Sequence, residues 1–303
     1  VTRNTATLTV TAASVPGYIF RRTITIDHTK VPNTDQSNFP VLISGTYPYL
    51  ATTANGGNVS NSNGYDILFT SDAAGAVPLA FERETYNPST GAVTFWVKLP
   101  TLSHTADTVL YLFYGNSSVS TDPSTSSAVW DSNYVGVWHL ADNAANTTVQ
   151  DSTAHANGTA AVNTNTKSVG GEIGKALTFT GSDKVTTGLH RTAASTWETW
   201  FYATASSGTH SLLTIDGSNY VLMALNGLSG SFWSADGLAG PNLGVTGLSP
   251  NTWYHIALVR SGDNVSGTGY KVYLNGLLTG QASSGLLGNG NAITIGYRPD
   301  FSS

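Results

Sequence analysis

From end to end the chain is cut into short runs with a period of two, each bounded by Gly, Asn, Pro or Ser. No long stretch carries the 3.6-residue apolar period and caps of an amphipathic helix. In the run 92–99, Val93, Phe95, Val97 and Leu99 fall on one face, leaving Thr94, Trp96 and Lys98 on the other. The run 108–114 is apolar on both faces, which predicts a central strand covered on both sides. Asn275-Gly276, between two strand-like runs, is a type I′ turn signal. Half-apolar strands bury their apolar faces by pairing sheet against sheet, so the pattern predicts an all-β molecule of sandwiches.

The 303 residues are enough for two such domains. Ala6, Leu8, Val10 and Ala12 alternate within 1–14, giving one stray strand whose open edge must pair with this chain or complete a neighbour. Val15-Pro16-Gly17 is a linker signal, and a first domain then fills 15–130, ending in a Ser/Thr-rich connector over 117–129. A second domain takes 131–303.

Composition narrows the function classes. Charged residues make up 10%, far below the roughly 25% usual in soluble domains; Thr, Ser, Asn and Gly hydrate the surface instead. A net charge of −5 with no basic stripe excludes nucleic acid as a partner and disfavours anionic membranes. No apolar run approaches the ~20 residues of a membrane helix. The absence of cysteine removes disulfides, thiol catalysis and cysteine metal sites together. A cysteine-free β protein rich in Thr, Asn and Gly reads as a secreted or cell-surface bacterial protein.

Two resemblances rest on particular motifs. Arg21-Arg22-Thr-Ile-Thr-Ile, Asp66-Ile-Leu-Phe-Thr, Trp96-Val-Lys-Leu-Pro and Tyr111-Leu-Phe-Tyr-Gly-Asn together resemble domain of unknown function 2341 of bacterial surface proteins. That resemblance implies a β-sandwich and no activity. Further on, GVWHL from Gly136, DSTAHANGT from Asp151, GKALTFTGSDKV from Gly174, NTWYHIALVR from Asn251 and YKVYLNGLLTGQ from Tyr270 resemble a laminin-G-like, concanavalin A-type jelly roll. This second resemblance implies that Trp138, Trp200 and Trp253 are core residues and that one more strand follows residue 303. Separately, residues 1–14 resemble the last strand of a bacterial immunoglobulin-like repeat.

The concanavalin-like fold hosts glycanases, so hydrolysis is the first chemistry to test. A retaining glycosidase needs two carboxylates about 5–5.5 Å apart. The strand Trp197–Tyr202 offers Glu198 alone, with Trp200 and Tyr202 as its same-face neighbours. The close pair Glu82 and Glu84 flanks Arg83 in the other domain and reads as a solvated face. No Gly-x-Ser-x-Gly elbow and no His-Glu-x-x-His motif occurs. The expectation is a protein that is not an enzyme.

Calcium is the metal the sequence suits best, because it takes six to eight hard oxygens. The loop from Asp151 to Asn157-Gly158 supplies a carboxylate, an amide and a turn glycine, and the jelly-roll resemblance adds Asp183 and places Asp142 nearby. The competing reading makes Asp151 and Asn157 Asx-turn residues that bond their own backbone.

For carbohydrate, an aromatic face with amide and carboxylate neighbours is required. Trp233 beside Asp236 and Asn242 answers this, followed by Tyr220 and Tyr297 and, in the first domain, Trp96. Trp233 reads equally as a hairpin residue packed across its sheet, and Trp96 as one packed under a loop or against the next domain. The expectation is a non-catalytic segment for glycan or cell-surface polysaccharide binding, or adhesion. Second comes a structural stalk or filament unit associating with its own copies through strand edges, and third a glycan-active enzyme.

Overall fold

The computed structural model describes residues 15–190, 192–203, 209–215, 221–226, 229–234, 245, 248–285 and 293–296. The chain forms two compact units, Val1–Val137 and Trp138–Ser303. The stray strand expected at 1–14 lies outside the described residues.

Among the described residues the first unit has six strands: β1 (Phe20–Ile26), β2 (Gln36–Thr46), β3 (Ile67–Thr70), β4 (Phe81–Asn87), β5 (Ala92–Leu102) and β6 (Thr108–Tyr114). They make two antiparallel sheets, β1-β6-β3 and β2-β5-β4. The inner faces meet in one core. Val93, Phe95, Val97 and Leu99 of β5 are all buried, as their alternation predicts. Phe69, Phe81 and Phe95 pack edge to face, with centroids 5.2–6.1 Å apart, a geometry their ring quadrupoles favour. β6 is central in its sheet; on its outer face Phe113 is buried, Tyr111 is half-buried and Val109 is exposed.

Asp66 opens β3 and is fully buried. Its carboxylate accepts from the backbone N–H groups of Ser60 (2.7 Å), Asn61 (2.9 Å) and Asn116 (3.1 Å). One side chain thereby joins the loop before β3 to the segment after β6, satisfying donors that burial would otherwise strand.

Glu82 and Glu84 do not form a solvated face. Glu82 is buried and accepts from the Trp130 indole (2.9 Å); Glu84 accepts from the Trp96 indole (2.8 Å). The reason is the connector, which lies across the outer side of β4 and β5. Thr125 N–H donates to Phe81 (2.9 Å), Lys98 Nζ donates to the Ala128 carbonyl (3.2 Å), and Trp130 packs on Trp96 at 5.4 Å. Arg83 between the two acids pairs with Asp122 and lies over Tyr65.

The second unit is also β throughout. Its described strands are β7 (Thr148–Val149), β8 (Gly158–Ala160), β9 (Ser168–Gly170), β10 (Lys175–Leu177), β11 (Lys184–Thr186), β12 (Ser195–Ala203), β13 (Thr209–Ile215), β14 (Val221–Asn226), β15 (Ser229–Ser234), β16 (Thr252–Arg260), β17 (Tyr270–Leu274), β18 (Leu277–Ala282) and β19 (Ile293–Gly296). Seven of them form one sheet, β15-β14-β13-β19-β11-β8-β7, and four form a second, β12-β16-β17-β18. β19 is inserted between β13 and β11, so the last described strand joins the two halves of the larger sheet. Trp197, Phe201, Ile256, Leu258, Tyr270 and Val272 supply the core from the four-stranded sheet. Asn275 and Gly276 both take positive φ, 49° and 80°, giving the expected tight turn between β17 and β18.

Arg260 is buried at the end of β16, on the same side as Ile256 and Leu258. Its guanidinium donates to Tyr270 Oη (3.0 Å), Asp263 (2.7 Å), and the carbonyls of Gly285 and Ala193. These bonds tie the start of β12 and the segment after β18 to one strand.

Asp66→Ala would leave three backbone donors buried without a partner. The expected cost is about 3 kcal/mol or more, with Asp66→Asn costing less because one acceptor oxygen remains. Denaturant unfolding of the full chain checks this, through the transition of the first unit.

Candidate functional site

The four-stranded sheet has one face in the core, and period-two geometry sends the alternate residues outward. On β12 the inward residues are Trp197 and Phe201, 8% and 7% exposed, so Glu198, Trp200 and Tyr202 face out. Trp200 is 40% exposed and Tyr202 45%. The core position implied for Trp200 by resemblance is therefore corrected: Trp197 and Phe201 occupy the interior, and a residue one or three positions from them cannot share it.

Antiparallel pairing with β16 sets partners beside these side chains. Trp200 lies opposite His255, and Tyr202 opposite Trp253. Both pairs touch, with centroids 5.3 Å apart and ring planes tilted by 58° and 57°. Glu198 lies opposite Ala257, which in turn faces Tyr273 on β17. Glu198 is exposed, and its Oε2 is 3.7 Å from His255 Nε2, beyond hydrogen-bonding distance. The turn after β17 steadies His255: its N–H donates to Asn275 Oδ1 (2.9 Å), and its carbonyl accepts from Asn275 N–H (2.8 Å). The result is four rings in two adjoining rows with one carboxylate at their end. Trp253 is half-buried rather than a core residue.

Of the residues chosen from sequence for sugar binding, Tyr220, Asp236, Asn242 and Tyr297 lie outside the described residues. Trp233 is on β15 with its backbone opposite Leu222; its side chain is not described. Trp96 is half-buried against Trp130 and donates to Glu84, which is the packing alternative. The outer-face set of Tyr202, Trp253 and His255 was missed as a site, although alternation around Glu198 carried the signal.

The four residues chosen for calcium are all described. Asp151 is buried and its carboxylate accepts from Thr153 N–H (3.0 Å), Thr153 Oγ1 (2.7 Å), His155 N–H (3.2 Å) and Ala156 N–H (3.0 Å). Asn157 Oδ1 accepts from Asp151 N–H (3.0 Å). Asp183 pairs with Lys167 Nζ at 2.5 Å and accepts from Thr180 N–H and Oγ1. Burial works to raise the Asp183 carboxyl, but the Lys167 and Thr180 bonds outweigh it and hold it below the usual carboxylate range. Asp142 accepts from Gln150 N–H (3.1 Å), and burial pushes its carboxyl upward.

This donor set does not fit a calcium ion. The oxygens of Asp151 accept from protein donors, Asp183 already has a cation, and Asp142 accepts from Gln150, so the four do not present converging open oxygens. Among the described residues, the carboxylates and imidazole that do converge are Asp27, His28 and Asp107, in the first unit. There His28 donates through its backbone N–H to Asp107 (3.1 Å).

Comparison with known proteins finds two family models that match parts of the chain. Residues 179–303 match the concanavalin A-like lectin/glucanases superfamily. The preceding residues 63–153 match DUF2341, a domain of unknown function. Both agree with the resemblances read from the motifs. A solved structure similar to this chain is the carbohydrate-binding module CBM66 from Bacillus subtilis. It is 17% identical, the alignment covers 43% of this chain and 88% of that one, and the TM-score is 0.30. No curated protein matches the chain. The superfamily's description names lectins and glucanases together, so binding and hydrolysis both remain within it.

The Asp183–Lys167 pair gives a pH prediction. Because the folded carboxyl is held below its unfolded value, its contribution is full above about pH 4 and is lost as pH falls through the folded value. Stability of the second unit should fall on acidification, less steeply in Asp183→Asn. Melting temperatures across an acid series check this, and calcium or a chelator should leave them unchanged at neutral pH.

Proposed function

We propose that the second unit is a non-catalytic glycan-binding domain, and that the outer face of β12 and β16 is its sugar platform. One observation carries this: Trp200 and Tyr202 stand exposed side by side, each against a second ring, with an exposed carboxylate beside them. Tryptophan and tyrosine normally bury most of their area. A contiguous exposed patch of them marks a surface that something else covers. A pyranose ring suits it: the apolar C–H face of the sugar lies on an indole or phenol ring, and its edge hydroxyls reach a carboxylate, an imidazole or the phenol oxygens. The residues nearest the rings, Glu198 and His255, are of that kind.

The non-catalytic part rests on the same face. Among the described residues Glu198 is its sole carboxylate, and a pair of carboxyl groups is what glycoside hydrolysis needs. Glu82 and Glu84, the close pair of the first unit, are each engaged by an indole N–H. Location at a bacterial cell surface, and a role in adhesion there, belong to this reading through the low-charge, cysteine-free composition.

The test is a glycan array on the full chain, followed by titration of whichever sugar binds. Trp200→Ala and Tyr202→Ala should each weaken binding about tenfold or more, by comparison with the roughly 1–3 kcal/mol per stacked aromatic measured for planar ligands. Trp200→Phe should retain part of the affinity, and melting curves should show that each variant is folded. Loss in Trp233→Ala without loss in Trp200→Ala would move the site to β15. An array blank from folded protein would end the glycan reading.

A further inference from the structure

Elsewhere among the described residues, four tyrosine rings lie under arginines. Arg21 lies over Tyr111, Arg22 over Tyr49, Arg83 over Tyr65 and Arg260 over Tyr270, at 3.4–5.5 Å from the ring centroids. Among the described residues, no such cation from the chain itself covers Trp200, Tyr202 or Trp253. The lysine on the same outer face, Lys271, is on β17 opposite Val259, two strands from β12 and one row beyond Glu198. The acidic group next to the exposed rings is the Glu198 carboxylate, with His255 Nε2 3.7 Å from it. Glu198 precedes Trp200 by two residues on the same face, a step of roughly 6.7 Å along a strand. Its carboxylate is 62% exposed on the side-chain scale and is not hydrogen-bonded to His255. The chain as a whole carries −5.

Ring faces attract cations through their quadrupole, tryptophan most strongly. A carboxylate at the end of the ring row adds direct charge attraction and accepts N–H bonds that shorten and strengthen when the donor is charged. Rings and carboxylate together favour a ligand with an apolar sugar face and a positive substituent about one sugar width away. They disfavour one bearing a carboxylate, sulfate or phosphate at that place.

We propose that this face recognises an amino sugar with a free ammonium group, the pyranose seated on Trp200 and the ammonium directed to Glu198. The proposal rests on the glycan reading above and deepens it by naming the substrate class. An oligosaccharide of glucosamine is the chemical type; its N-acetylated counterpart has the same backbone without the charge.

The test titrates the full chain with the glucosamine hexamer and the N-acetylglucosamine hexamer, under mildly acidic, low-salt conditions in which the free amines are protonated. The amine-bearing hexamer should bind up to about fivefold more tightly, the upper range of an exposed ion pair. That preference should shrink toward unity in Glu198→Gln and fall at high salt, as a screened charge contact requires. Equal affinity for the two hexamers overturns the proposal, as does a preference that survives Glu198→Gln. Either of those results leaves the glycan reading standing if Trp200→Ala still weakens binding. Failure of both hexamers while other sugars on the array bind also overturns it. If nothing on the array binds, both readings fall together.

Discussion

Each sheet in a two-layer sandwich can bury one face, and strand alternation leaves no choice about which side chains share it. The rest of the second unit depends on that constraint. Once Trp197 and Phe201 of β12 are in the core, Glu198, Trp200 and Tyr202 must face outward. Pairing in antiparallel register with β16 then brings His255 and Trp253 beside them. Nothing about sugar enters that derivation. The exposed aromatic row is a consequence of which odd or even set the core took, and of a sequence that kept large aromatic residues on the other set.

Buried charged groups fix the ends of the strands that carry these faces. In the first unit the Asp66 carboxylate gathers three backbone N–H groups from two separate segments. In the second, the Arg260 guanidinium gathers carbonyls from segments before β12 and after β18, with Tyr270 and Asp263 alongside. Breaking one member of such a set leaves the remaining polar groups buried without partners, which costs far more than an average contact. Asn275 acts on a smaller scale, holding the backbone of His255 on both its donor and its acceptor. Loops thus sit where the strands need them despite low charge and the absence of any disulfide.

Much of this was legible before any coordinates. The alternation of Val93, Phe95, Val97 and Leu99 stated which face of β5 is inside, and Asn275-Gly276 marked the turn between β17 and β18. Asp66 stood in a motif used for recognition, though its three backbone bonds were not readable from the motif. Glu82 and Glu84 were misread as solvated, because the connector that covers them is separated from them by more than thirty residues and reaches them only in the fold. For Asp151 and Asn157 the local alternative was correct in form: an Asx residue bonding its own loop competes directly with any metal for the same oxygens. Trp200 was assigned inward by resemblance, against the alternation of its own strand.

The sequence by itself determined the all-β class, two sandwich domains in tandem, the turns, and which residues share a face on each strand. These follow from local stereochemistry: period two, turn residues that accept positive φ, and the lack of any helical period. The tertiary structure alone decided which face of β12 is inside, which strands lie next to each other, and where the open acceptors of each acid are directed. β19 inserted between β13 and β11, and Trp253 brought beside Tyr202, are pairings between residues some fifty to eighty apart or more. Such contacts depend on how whole sheets bury area and satisfy hydrogen bonds together, a sum over the fold that no single stretch of sequence contains.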